Sequence, residues 1–330
     1  MINAKLHLSE KIFRKSIDAV ATRQGYGEGL VIAGENDDNV VVLCADLTDS
    51  TRSVLFREKF PERFIEVGVA EQGMATIAAG MANYGKIPFI SSYAAFSPGR
   101  NWEQIRTTIA LNDVPVKIAG AHAGVSVGPD GATHQMLEDM ALMRAMPNMV
   151  VVAPADAIET RKATVEIAKN GKPTYIRFAR EATAVFTTDR TPFKIGRAET
   201  LWVSDNPQVA IIACGPLVYE ALKAAKELSK RIEVLVINSH TIKPIDELAI
   251  IRAAKTCGAI VTVEEHQINA GLGGAVAEVL SRNFPTPIEM IGMPDQFGES
   301  GEPDELLEKY HMKSHDIVEA VKKVIARKND

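Results

Sequence analysis

Short, almost purely apolar runs recur along the chain at Val40–Ala45, Phe64–Val69, Ile87–Ser91, Val116–Ala121, Met149–Ala153 and Thr174–Phe178. Segments of helical length, among them Thr133–Ala145 and Asp156–Lys169, separate most of them. Unbroken apolar runs are the mark of strands covered on both faces, and strands alternating with helices predict a parallel sheet wound on both sides. The pattern loosens over Ala182–Gly196, which lacks helical periodicity and holds Pro192, so this stretch reads as a linker. It resumes at Val209–Cys214, Ile232–Ile237, Ala259–Val263 and Ile288–Ile291, interleaved with helical segments such as Pro216–Lys230 and Gly273–Ser281. The expected fold class is therefore α/β, with two doubly wound domains. Residues 1–187 form the first, and residues 188–330 form a second, smaller one.

A chain of 330 residues can bury cores for two such domains. The net charge of -5 gives no reason to expect nucleic acid or an anionic membrane as a partner. Cys44, Cys214 and Cys257 lie in apolar segments without metal spacing and read as buried thiols in a reducing, cytoplasmic compartment. The N-terminal MINAKLHLSEKIFRKSIDAV reads as the start of a polar amphipathic helix rather than a signal peptide, and no apolar run has the ~20 residues a membrane span needs.

Polar side chains collect where the predicted strands end. Phe64–Val69 turns directly into a helix that begins with Glu71 and carries Gly73, Ala75, Ala78, Ala79, Gly80 and Ala82, residues small enough for another backbone to approach. Glu71 is either a first-turn acid that complements the helix dipole or a ligand group beyond a strand end, where open α/β sheets bind ligands. Asp46, Asp49 and Ser50 follow another strand; Asp46 and Asp49 also suit caps or turns. His122 ends a third strand and leads through a Gly-rich loop to Asp130 and His134. Arg180 ends a fourth, and Arg23 sits in TRQGYG. Singly, a surface histidine or a surface ion pair accounts for His134 or Arg180. Jointly, two guanidinium groups, two imidazoles, a hydroxyl and carboxylates at one sheet edge suit a polar, phosphorylated substrate. Tyr93 and Phe96 suit either stacking on a flat heterocycle or core packing. Gly271-Leu272-Gly273-Gly274 opens a helix and reads as either an anion cradle or close strand–helix packing.

The stretches EVGVAEQGM, HAGVSVGPDGATHQ, LEDMALMRAMPNMVVVAPADA, INSHTIKPIDE, VTVEEH followed by AGLGGAV, and DQFGESG make the chain resemble the C-terminal half of transketolase. The resemblance is closest to the separate C-terminal subunit of split-gene transketolases, with a pyrimidine-binding domain followed by the transketolase C-terminal domain. It implies a thiamine diphosphate cofactor, with Glu71 matching the glutamate that hydrogen-bonds the aminopyrimidine ring nitrogen and favours its imino tautomer. Tyr93 and Phe96 match the aromatics that sandwich the pyrimidine, and Asp46 matches an aspartate near the cofactor. Arg23, Ser50, His122 and Arg180 match the cluster that grips the sugar phosphate. Asp130 and His134 match residues that read substrate hydroxyls or support proton transfer. A third pocket aromatic is replaced by Pro98, Gly99 and Arg100.

The Gly-Asp-Gly motif through which transketolases hold Mg²⁺ (or Ca²⁺) and the diphosphate does not occur in this sequence. The resemblance therefore implies an N-terminal partner subunit that supplies the metal, in a dimer of heterodimers acting on sugar phosphates. The beta subunit of a 2-oxo-acid dehydrogenase decarboxylase and a deoxyxylulose phosphate synthase-like half are related alternatives. A regulatory or scaffold subunit is the non-enzymatic one.

Overall fold

A computed structural model describes residues 1–329. Its strands are β1 (Ala19–Ala21), β2 (Val40–Cys44), β3 (Phe64–Glu66), β4 (Ile87–Tyr93), β5 (Lys117–Ala121), β6 (Val150–Val152), β7 (Thr174–Phe178), β8 (Ala182–Ala184), β9 (Glu199–Trp202), β10 (Val209–Ala213), β11 (Val234–Asn238), β12 (Thr241–Lys243), β13 (Ile260–Gln267) and β14 (Ile288–Met293). Seven form one sheet in the order β3-β2-β4-β5-β7-β6-β12, and five form another in the order β14-β13-β10-β11-β9. Within each sheet every pairing is parallel except that of one edge strand, β12 in the first and β9 in the second. The two doubly wound α/β units expected from the apolar runs are present.

Several local expectations are corrected. The run Phe64–Val69 is not a strand buried on both faces. β3 ends at Glu66, lies at the edge of the sheet and pairs with β2, so Phe64 and Ile65 are half-buried and Glu66 is exposed. The N-terminal segment is not an amphipathic helix either, since only a short 3-10 turn, Ala4–Leu6, precedes Thr22. Its apolar residues cover the second sheet instead. Ile2 bridges Trp202, Phe13 meets Trp202 edge-on, and Leu6 and Ile12 join the core of the second domain.

The two units interlock. β12 comes from the second half of the chain, yet it pairs antiparallel with β6 of the first sheet. The linker is docked as well. Asp156 caps the helix Ala157–Lys169 through Glu159 N–H and also accepts from the Phe186 and Thr187 amides. One continuous core runs across the seam, with Met140, Met143 and Met146 packed in the same cluster as Ile242 and Leu272. In the Gly271–Gly274 turn the amides are taken by the protein itself. Buried Glu264 accepts from the Leu272 and Gly273 amides, and a Cβ on Gly271 would lie 2.0 Å from its carboxylate. All three cysteines are buried and free.

In the first sheet the chain runs outward from β2 to β3 and then returns past β2 to β4. The carboxyl ends of β2 and β4 therefore flank a topological switch point, where connections leave in opposite directions and open a crevice. The helix Thr22–Asn36 lies close against Ala157–Lys169, because a side chain on Gly25 or Gly29 would run into Ala157 or Thr164. That approach brings Arg23, in the first turn of Thr22–Asn36, to the same crevice.

Candidate active site

Glu71 opens the helix Glu71–Asn83 and is 1% exposed. Its carboxylate receives Arg100 Nη1 at 2.7 Å, and its backbone carbonyl receives Asn101 Nδ2 at 3.0 Å. The same Arg100 guanidinium lies 4.9 Å from the centroid of the Phe96 ring. Phe96 and Tyr93 lie nearly parallel, at 21° and 6.0 Å, and Tyr93 stacks on His122 at 4.1 Å. His134 meets both aromatic rings edge-on, at 5.5 Å from Phe96 and 6.2 Å from Tyr93. Its Nδ1 is 2.9 Å from the Thr133 hydroxyl.

His122 Nε2 faces Arg23 Nη1 at 3.4 Å, and Arg23 Nη1 also donates to the Ser50 carbonyl at 3.0 Å. Ser50 thus enters the cluster through its backbone oxygen. Arg180 Nη1 donates to the Val127 carbonyl at 3.0 Å and lies 3.5 Å from Asp130. Burial, then Arg23 and Arg180, push His122 down to about 3, so its imidazole is neutral near pH 7. Burial followed by Arg52 and Arg180 lowers Arg23 as well. Positive groups whose field lowers the proton affinity of Arg23 and His122 form a place where an anion relieves the repulsion.

Nine of the ten singled-out residues thus share direct or one-step contacts: Arg23, Ser50, His122, Tyr93, Phe96 and His134 in one chain, Asp130 with Arg180, and Glu71 through Arg100. Asp46 stands apart in its contacts. Its side chain is exposed, its φ is +59°, and its amide donates to Glu66 Oε1, which also accepts from Gly68 N–H. Arg52, Arg100 and Asn101 were not predicted to have site roles. The signal for Arg100 was in the sequence, since it falls where the resemblance leads one to expect an aromatic. Arg52 becomes visible only through its field at Arg23.

The structure thus sets a buried carboxylate beside parallel aromatic rings, next to an arginine–histidine cluster, at the switch point of an α/β sheet. Two family models match the chain, the transketolase pyrimidine-binding domain over residues 18–185 and the transketolase C-terminal domain over residues 196–317. The chain is 45% identical to a protein of Methanocaldococcus jannaschii described as a transketolase C-terminal section, over 91% of this chain and 94% of that one. It is 39% identical to the 6-deoxy-6-sulfo-D-fructose transketolase subunit SqwH of a Clostridium species, over 93% and 95% of the two chains. Among solved structures, a split-gene transketolase in the form of an inactive β4 tetramer superposes with a TM-score of 0.87 at 43% identity, covering 94% of this chain and 99% of that one. The chain belongs to the transketolase family. It spans about half the length of the mammalian transketolases it matches.

Proposed function

We propose that this chain is the C-terminal subunit of a thiamine-diphosphate-dependent transketolase, which moves a two-carbon ketol unit from a ketose phosphate to an aldose phosphate together with an N-terminal partner subunit. The observation that carries this reading is the single crevice in which buried Glu71, the Tyr93–Phe96 pair and the Arg23–His122–Arg180 cluster meet. The residues fit the pyrimidine end of the cofactor. Arg100, a flat N–H donor, lies against Phe96 while reaching Glu71, which is the chemistry an aminopyrimidine presents. For the cofactor ring to take this place, Arg100 would have to leave Glu71. They do not fit the metal end, because among the described residues no three or more His, Cys, Asp or Glu side chains are grouped as a metal site. We assign Mg²⁺ and the diphosphate contacts to the partner.

Bound thiamine diphosphate supplies a carbon nucleophile for the ketose carbonyl. Glu71 would hold a proton between its carboxylate and the pyrimidine ring nitrogen, at a position closed to bulk water. We assign Asp46 to the cofactor side only from its place just after β2 at the switch point, since its side chain makes no contact with the rest of the cluster. Arg23, Arg180, neutral His122 and the Ser50 turn hold the substrate phosphate, while Asp130 and His134 hydrogen-bond its hydroxyls. His134, the less buried imidazole, is the one placed to exchange a proton with substrate.

The partner meets the helix Glu71–Asn83. Val69 and Tyr84 at its ends are 69% and 92% exposed, Ile77 is half-exposed, and a Cβ on Gly73 or Gly80 would touch nothing within 4 Å. The inactive β4 form of the split-gene relative supports the need for a second kind of chain. Co-expression with an N-terminal subunit carrying Gly-Asp-Gly, supplied with thiamine diphosphate and Mg²⁺, is expected to transfer ketol units from xylulose 5-phosphate to ribose 5-phosphate, and the isolated chain is not. Gly73→Arg removes a helix-interior glycine, so it leaves the isolated chain as stable as before, but it should abolish assembly. An assembled pair without ketol transfer sinks the reading.

The neutrality of His122 has a kinetic consequence. The kcat/KM profile reports groups of the free enzyme. Between about pH 5 and 8 it should show the second ionisation of the substrate phosphate, near 6, but no limb from His122. His122→Asn is expected to lower the profile without changing its shape. A limb that vanishes in this variant contradicts the assignment.

A further inference from the structure

The loop Gly124–Gly131 carries Asp130 and presents the Val127 carbonyl to Arg180, yet it is held from the other domain. Glu265, on β13 and 3% exposed, accepts the Ser126 amide at 2.6 Å. Its carboxylate occupies the space beside Gly124, where a Cβ would lie 2.2 Å from Glu265 Oε1, and Gly124 itself adopts φ +98°. Buried Gln135 completes the hold, its Nε2 donating to the carbonyls of Val125, Gly128 and, from the second domain, Glu299. Ser300 and Pro303 close against Gly131 and Gly128. An unpaired amide at Ser126 would be costly in so dry a place, so the loop is fixed in the one conformation that satisfies it.

We infer that Glu265 is a positioning residue for the substrate phosphate: through Ser126 it fixes the loop whose Val127 carbonyl and Asp130 orient Arg180. The second domain then sets how tightly the first grips a phosphorylated sugar. This inference rests on the transketolase reading for its substrate but not for its geometry.

The assembled complex is assayed with xylulose 5-phosphate and with unphosphorylated xylulose as donors. Glu265→Ala is expected to raise KM for the phosphorylated donor about tenfold, the effect of losing one hydrogen bond to a charged group. It should leave kcat within about twofold, the pattern of lost uniform binding, and raise the KM for xylulose clearly less, since that donor loses only the hydroxyl contact of Asp130 and not the grip of Arg180. Glu265→Gln keeps an oxygen acceptor for the Ser126 amide and restores the wild-type KM. Gln135→Leu, which releases the loop from the first-domain side, should show the same phosphate-selective loss and serves if Glu265→Ala does not fold.

A binding measurement stands apart from catalysis. Ribose 5-phosphate should protect the wild-type and Glu265→Gln complexes against thermal unfolding, and Glu265→Ala or Gln135→Leu much less. Equal losses on both donors, or unchanged protection by ribose 5-phosphate in the Ala and Leu variants, overturn the inference. Absence of ketol transfer in the wild type with protection lost in those variants would overturn the transketolase reading alone.

Discussion

Glu71→Gln in the assembled complex is expected to lower kcat by about two to four orders of magnitude, the usual scale for removing a group that holds a transferred proton. Glutamine has the size of glutamate, and the carbonyl that receives Asn101 Nδ2 belongs to the backbone, so the helix start and its contact with Asn101 survive the change. The substitution removes the acid's capacity to hold a proton at the pyrimidine nitrogen. Thiamine diphosphate should still bind, because the stacking rings and the partner's metal site are untouched. The exchange rate of the bound cofactor's C2 hydrogen, followed by NMR after a jump into D₂O, should fall in parallel with kcat. Full activity in Glu71→Gln would favour the scaffold reading. Slow turnover with normal C2 exchange would place the role of Glu71 elsewhere in the cycle.

Legibility in the sequence follows the range of the interactions that decide each feature. β2, β4, β5, β7 and β10 stand close to where their apolar runs lie, because a strand covered on both faces must be apolar along its whole length. The turn residues at their carboxyl ends follow from the same geometry, which is why Tyr93, His122 and Arg180 are legible from the apolar runs, whereas Arg23, in the first turn of a helix, is not tied to any of these strand ends. β12 escaped notice because three residues pairing with another domain's edge leave no periodicity of their own. The N-terminal segment misled for a related reason. Its apolar spacing served the second sheet, some 200 residues away in sequence, as the Asn3 to Leu201 backbone bond shows. Arg100 and Glu265 lie at the far end of this scale. The first stands where an aromatic is expected and the second lies just beyond the apolar run Ala259–Val263, inside the stretch VTVEEH, and only their partners across the fold, Glu71 and Ser126, give them meaning.

The seam that brings Glu265 to the active-site loop depends on a buried ion pair, and breaking it should have the largest effect on stability. Arg177 Nε donates to Asp139 Oδ2 at 2.8 Å, the Tyr175 hydroxyl donates to the same oxygen at 2.6 Å, and both charged side chains are almost wholly buried. Arg177 Nη2 reaches across to the Glu265 carbonyl at 2.7 Å, so one guanidinium joins the two domains. Arg177→Met leaves the Asp139 carboxylate in the interior with only the tyrosine hydroxyl, and Asp139→Leu leaves the guanidinium without its counter-charge. Each single variant is expected to lose about 3–5 kcal/mol, the range for removing one partner of a buried pair. That corresponds to a fall in Tm on the order of 10 °C. The desolvation of two charges offsets much of their attraction, so Arg177→Met with Asp139→Leu should recover most of the loss. Thermal unfolding of the four proteins completes a double-mutant cycle with a coupling of several kcal/mol. Additive losses in the double variant would mean that the two residues stabilise the seam separately. Recovery of Tm without recovery of KM for the phosphorylated donor would show that Arg177 also fixes the Glu265 backbone, a task methionine cannot take over.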